Sequence, residues 1–168
     1  KIIKTALVNK WITDDPFLEI HFKQTRTNRA FLTEEELGIL LQKEFTIPRL
    51  QTVRDIFVFC ALTGLAFTDV QHLRHDHIIK DGNGEYWIRK AREKTDNMCD
   101  IPLLDIPRMI LEKYKGHPEC MKKGVLLPVP SNQRMNSYLK EIADTCGITK
   151  PLSTHVARHT FATVALAN

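Results

Sequence analysis

The chain has 168 residues, with 24 Lys and Arg against 20 Asp and Glu, for a formal net charge of +4. Hydrophobic residues at 43% and charged residues at 26% match a globular domain and exclude a largely disordered chain. The longest apolar run, Ile56 to Leu62, falls far short of the roughly 20 residues of a membrane span.

The cysteines, Cys60, Cys99, Cys120 and Cys146, are widely spaced with no C-x-x-C pair. That argues against a zinc ribbon or a thioredoxin-like motif and for a reducing compartment with buried thiols. The opening residues lack a signal-peptide pattern. The first residue is not Met, and Ala162 to Asn168 stops inside a helix-like pattern without a cap. A fragment of a longer protein is the expectation.

In chain order, Ile2, Ile3, Ala6 and Leu7 form a helical stripe ending near Asn9 and Lys10. Asp14, Asp15 and Pro16 break it. Residues 21–29 hold Lys23, Arg26 and Arg29 among polar residues. This basic linker reads either as a solvated connection or as a segment lying along phosphates. Thr33 and Glu36 make a capping box, and Leu37, Leu40 and Leu41 give that helix its buried face. A second helix, about Arg49 to Thr63, is apolar nearly all round and belongs at the centre of a core; Gly64 stops it. A short helix from Phe67 to Leu73 follows.

Asp81 to Gly84 is a hairpin turn joining a strand near His77 to Ile79 with one from Glu85 to Arg92. Thr95 to Asn97 turns the chain into a third strand, Cys99 to Leu103. Helices return after Asp105 and after Ser131. In the latter, Met135, Tyr138, Leu139, Ile142, Ala143 and Cys146 keep a helical spacing. A last helix begins at Ser153 or Thr154. The class is α+β, mainly α-helical with a small three-stranded antiparallel sheet.

Three groups of residues could carry chemistry. On the last helix, His155, Arg158 and His159 share one side, with Ala157, Phe161, Val164 and Ala165 opposite. The bland account is an ordinary polar face. His155 and His159 also have the spacing of a helical zinc pair, but Arg158 lies between them and no metalloprotease glutamate follows the first. His72, His75 and His77 fit no common ligand set and read as an exposed helix end. On a continuous strand, Lys90, Arg92 and Lys94 would share a face, either as a solvated hairpin or as a surface for an anionic partner.

Four pieces occur in a telling order: Phe31 to Leu37, Leu62 to Val70, Arg92 to Thr95 leading to Ile101-Pro-Leu103, and His155 to Phe161. Together they resemble the tyrosine recombinase, or phage integrase, family of mobile elements. The resemblance implies a catalytic domain over residues 31–168, truncated before the nucleophilic tyrosine. Residues 1–30 would be the end of a core-binding domain and its basic linker. It implies site-specific DNA strand breakage and rejoining through a 3′-phosphotyrosine, with neither cofactor nor metal. Arg158 would stabilise the phosphate, His155 would hydrogen-bond it, and Lys94 would protonate the leaving 5′-oxygen, with Asp69 and His159 in support.

By the same resemblance the partners are double-stranded DNA and other copies of the chain, as a tetramer on DNA. The setting would be the cytoplasm of a bacterial or phage-host cell. The family's first arginine falls at Ala66, which can donate nothing. Arg92 and Arg54 are the candidate compensating cations, Arg54 having a structural salt bridge as its alternative role. Tyr86, Tyr114 and Tyr138 lie upstream of His155 and read as packing residues, so this chain contains no nucleophile and is expected not to cleave DNA. The competing account is a non-catalytic DNA-binding or assembly module with the same fold, which Ala66 favours.

Overall fold

The structure, a computed structural model, describes residues 2–20 and 29–165, with side chains as far as Val164. Helix α1 (Ile2–Val8) ends where the stripe predicts, with Lys10 in the left-handed region at φ 57°. None of its residues is buried, however. The Lys23 and Arg26 portion of the basic linker lies outside the described residues.

Helix α2 (Glu34–Gln42) starts on the predicted capping box: the Thr33 hydroxyl accepts from the Glu36 N–H, and the Glu36 carboxylate accepts from the Thr33 N–H at 2.8 Å. Helix α3 (Pro48–Thr63) is the centre of the molecule, buried on every side from Val53 to Ala61. Proline opens it, where a missing N–H costs nothing. Gly64 closes it at φ 67°, and a Cβ on Gly64 would overlap the ring of Phe161. Left-handed backbone and close approach together explain a glycine here.

Helix α4 (Phe67–Gln71) follows at once, two residues shorter at its end than the sequence suggested. After a 3₁₀ turn (His75–His77) come β1 (Ile78–Lys80), β2 (Tyr86–Ala91) and β3 (Met98–Pro102), an antiparallel meander in the order β1-β2-β3. Ile88 sits opposite Ile78 on one side and Ile101 on the other, and its buried side chain ties the sheet to the core. Helices α5 (Asp105–Lys113), α6 (Pro118–Lys123), α7 (Asn132–Cys146) and α8 (Thr154–Thr160) complete the fold. Helix α7 buries Met135, Leu139, Ile142 and Ala143, as the spacing predicts. A π-helical turn (Phe161–Ala165) continues α8.

One expectation needs correcting. Lys90, Arg92 and Lys94 do not share a strand face, because β2 ends at Ala91. The Arg92 carbonyl instead accepts the N–H groups of Thr95 (3.2 Å) and Asp96 (2.8 Å), and Asp96 takes the left-handed conformation at φ 55°. That turn releases Lys94 to solvent, while Lys90 alone points into the protein.

Candidate active site

Helix α8 packs along α3. Val156, Ala157 and Thr160 are buried, which leaves His155 exposed and Arg158 and His159 half-buried. The predicted two-sided character of this helix is therefore real. Thr160 fixes its position: the hydroxyl accepts from the Leu32 N–H at 2.9 Å and donates to the Val156 carbonyl.

A buried thiol reports how the elements converge. Burial pushes Cys60, on α3, up to about 12, while the Arg158 guanidinium pulls it down and the Asp69 carboxylate pushes it up. Arg158 from α8 and Asp69 from α4 thus act on the same sulfur. His159 is held below the ordinary imidazole value by burial first, then by Arg29, His155 and Arg158. The described end of the basic linker, Arg29, therefore belongs to the same positive neighbourhood.

Asp69 is buried and spends its carboxylate on the hairpin, accepting the Glu93 N–H at 2.9 Å. Lys94 follows directly and is exposed. Ala66, the N-cap of α4, has no side-chain capping bond and lies one turn before Asp69. So α3, α4, α8 and the β2–β3 turn gather Ala66, Asp69, Lys94 and Arg158 around one end of α3. Among the described residues, the side chains of Arg158, His155, Arg92 and Lys94 make no hydrogen bond or ion pair.

Arg54 does not join them. Its Nη1 donates to the carbonyls of Leu40 (2.9 Å) and Leu41 (2.7 Å) at the end of α2, and its Nε lies 2.9 Å from Asp55 Oδ1. The structural salt bridge, not the compensating role, is what its surroundings satisfy. A buried guanidinium held this way ties α2 to α3. Arg92 is half-buried and remains available.

The three tyrosines pack. Tyr114 is buried and donates to Asp55 Oδ2 at 2.9 Å, Tyr138 lies under the Arg49 guanidinium, and Tyr86 is half-buried against the core. Among the described residues no group of three His, Cys, Asp or Glu is placed to hold a metal ion. None of the described helices is long and apolar enough to cross a membrane.

Sequence reasoning missed Glu93. Its carboxylate accepts from Lys90 Nζ at 2.9 Å and lies 3.5 Å from His72 Nδ1. The Lys90 ammonium holds it below the usual carboxylate range. The spacing of Lys90 and Glu93 was visible, but nothing in it said that Lys90 faces inward.

This arrangement of helices around a three-stranded meander is the catalytic-domain fold of the tyrosine recombinases. A complex of XerH site-specific recombinase bound to difH substrate, before cleavage, superposes with a TM-score of 0.67 at 18% identity, covering 87% of this chain and 46% of that one. A lambda integrase (75–356) dimer bound to a COC′ core site gives 0.66 at 18% identity, over 95% and 58%. XerA recombinase gives 0.58 at 19% identity, over 83% and 52%. The chain spans about half the length of these recombinases. No protein-family model matches the chain, and no curated protein matches its sequence.

Proposed function

We propose that the chain is most of the catalytic domain of a site-specific tyrosine recombinase acting on double-stranded DNA. The observation that carries this reading is the half-buried Arg158, without a hydrogen-bond or ion-pair partner among the described residues, acting with Asp69 on the same thiol of α3, Cys60, in a recombinase fold. A guanidinium left unpaired in a partly desolvated place suits an anion that arrives from outside.

The reaction has one bond made and one broken. A tyrosine phenolate attacks the scissile phosphorus, the bond to the 5′-oxygen breaks, and a 3′-phosphotyrosine forms. The transition state carries extra negative charge on its phosphate oxygens, which Arg158 and His155 stabilise as fixed donors. Lys94 gives its proton to the departing 5′-oxygen. Arg92 supplies the cation missing at Ala66, and Asp69 and His159 support the site. The nucleophile comes from a longer form of the protein, so these 168 residues alone bind DNA without cutting it. In that longer form the working assembly is a tetramer of the chain on two duplexes.

Ala66 supports a second reading, a DNA-binding or assembly module of the same fold without catalysis. One experiment separates the two. The longer chain, carried through its tyrosine, is incubated with nicked duplexes selected from a random pool for binding. Recombinase activity leaves a covalent protein–DNA adduct that survives denaturation and disappears in the tyrosine-to-phenylalanine variant. Binding without an adduct on any selected duplex favours the module.

A further inference from the structure

Resting on the recombinase reading, we propose that Glu93 is a positioning residue that holds the turn carrying Lys94 at a fixed distance from α4. Residue 93 is gripped twice. Its N–H donates to Asp69 Oδ1 (2.9 Å), and its carboxylate accepts from Lys90 Nζ (2.9 Å) beside His72 Nδ1 (3.5 Å). Asp69 and His72 lie on and just after α4, and Lys90 lies on β2. Two separate elements therefore hold one residue, through its backbone and through its side chain.

The Lys90 ammonium makes the second grip strong. Its side chain is only 7% exposed, and Glu93 is the carboxylate that meets it. An ammonium this buried is costly unless paired, so release of Glu93 is opposed by desolvation of Lys90. The backbone of Lys90 is pinned as well, its carbonyl accepting from Cys99 Sγ on β3. Beyond Glu93 the turn closes on the Arg92 carbonyl, so the Lys94 Cα sits on a short, doubly anchored arc. Neighbouring Cα atoms are about 3.8 Å apart, so fixing residue 93 leaves Lys94 little but its own side-chain rotamers.

That restriction matters for a general acid. Proton transfer requires the ammonium within hydrogen-bond reach of the leaving oxygen, and freedom in the turn lowers the fraction of time it is there. Ala66 begins the same short helix that supplies Asp69. The grip on Glu93 therefore also sets the spacing between Lys94 and the place where the first arginine is missing.

Two measurements test this. In the 168-residue chain, amide hydrogen exchange is compared between wild type and Glu93→Ala. The amides of Thr95 and Asp96 should exchange at least tenfold faster, with the amides of α3 unchanged. Equal exchange at Thr95 and Asp96 overturns the proposal. In the longer, tyrosine-bearing chain, Glu93→Ala should slow cleavage of an ordinary phosphodiester about tenfold at saturating DNA, with DNA affinity unchanged. Cleavage of a substrate whose bridging 5′-oxygen is replaced by sulfur, a leaving group that needs no proton, should stay at the wild-type rate. Lys90→Gln should behave in the same way as Glu93→Ala. If the sulfur substrate slows as much as the ordinary one, Glu93 does not act through Lys94. A wild-type chain that cleaves neither substrate removes the recombinase reading, while hydrogen exchange still decides whether Glu93 holds the turn.

Discussion

Two clusters of charge lie at different places on α3 and behave oppositely. Around Asp55, every charge has a protein partner: Arg54 on one carboxylate oxygen, and Lys113 (2.7 Å) and Tyr114 (2.9 Å) on the other. Near Cys60, Arg158 approaches the same helix with no partner among the described residues, and Lys94, Arg92 and His155 are unpaired as well. The first cluster is closed and joins α2, α3 and α5. The second is open. Buried charges that stabilise a fold are satisfied within it, whereas charges kept for a ligand are left unsatisfied until it binds. The contrast separates cations closed within the fold from cations left open to an outside partner, without reference to any relative.

Substitutions can break that contrast, and the largest expected effect lies in the closed cluster. Asp55→Ala leaves Arg54 and Lys113 facing a carboxylate that is gone, and should cost about 3–5 kcal/mol of stability in chemical denaturation. In the open cluster the same kind of truncation should spare stability and remove chemistry. Arg158→Ala in the longer chain should slow DNA cleavage about 10²–10³-fold, the effect of losing one transition-state donor, with the denaturation midpoint close to wild type. An Arg158→Ala variant that unfolds as easily as Asp55→Ala would erase the distinction.

Gly64 caps the end of α3 next to the open cluster, under Phe161, which continues the helix bearing Arg158. Gly64→Ala meets both a left-handed backbone and an aromatic ring, and should cost about 2–3 kcal/mol. If Phe161 yields by shifting α8, DNA affinity should fall along with stability, which binding assays on the folded variant would show. Smallest per residue is the salt effect. DNA binding by the wild-type chain should weaken linearly in log–log terms as salt rises, and Lys94→Ala should reduce the slope by about 1. An affinity unchanged between low and moderate salt would mean that the open cations do not meet phosphates.

Much of this was legible in the residues. The capping box at Thr33 and Glu36, the all-round apolar α3, the Gly64 stop and the α7 stripe each rest on local rules, and each forms as read. The α8 face was legible as well, because helical spacing alone puts His155 and Arg158 away from Ala157. The strand face of Lys90, Arg92 and Lys94 was misread because alternation holds only while a strand lasts. Beta-strand β2 stops at Ala91, where the turn through Asp96 competes successfully for the backbone bonds.

By itself, then, the amino-acid order determined the elements, their apolar faces, and the set of cations that could meet a phosphate. It did so because capping, periodicity and turn chemistry act over a few residues. Which cations are closed and which are open belonged to the tertiary structure. Arg54 and Arg158 are both arginines on helices that bury one face or more in the core. One meets the carbonyls of Leu40 and Leu41 and the carboxylate of Asp55; the other meets no protein oxygen among the described residues. Glu93 likewise became an anchor only when β2 turned Lys90 inward and α4 brought Asp69 and His72 beside it. Partners 14, 24 or more residues apart meet through packing, and no local rule reaches that far.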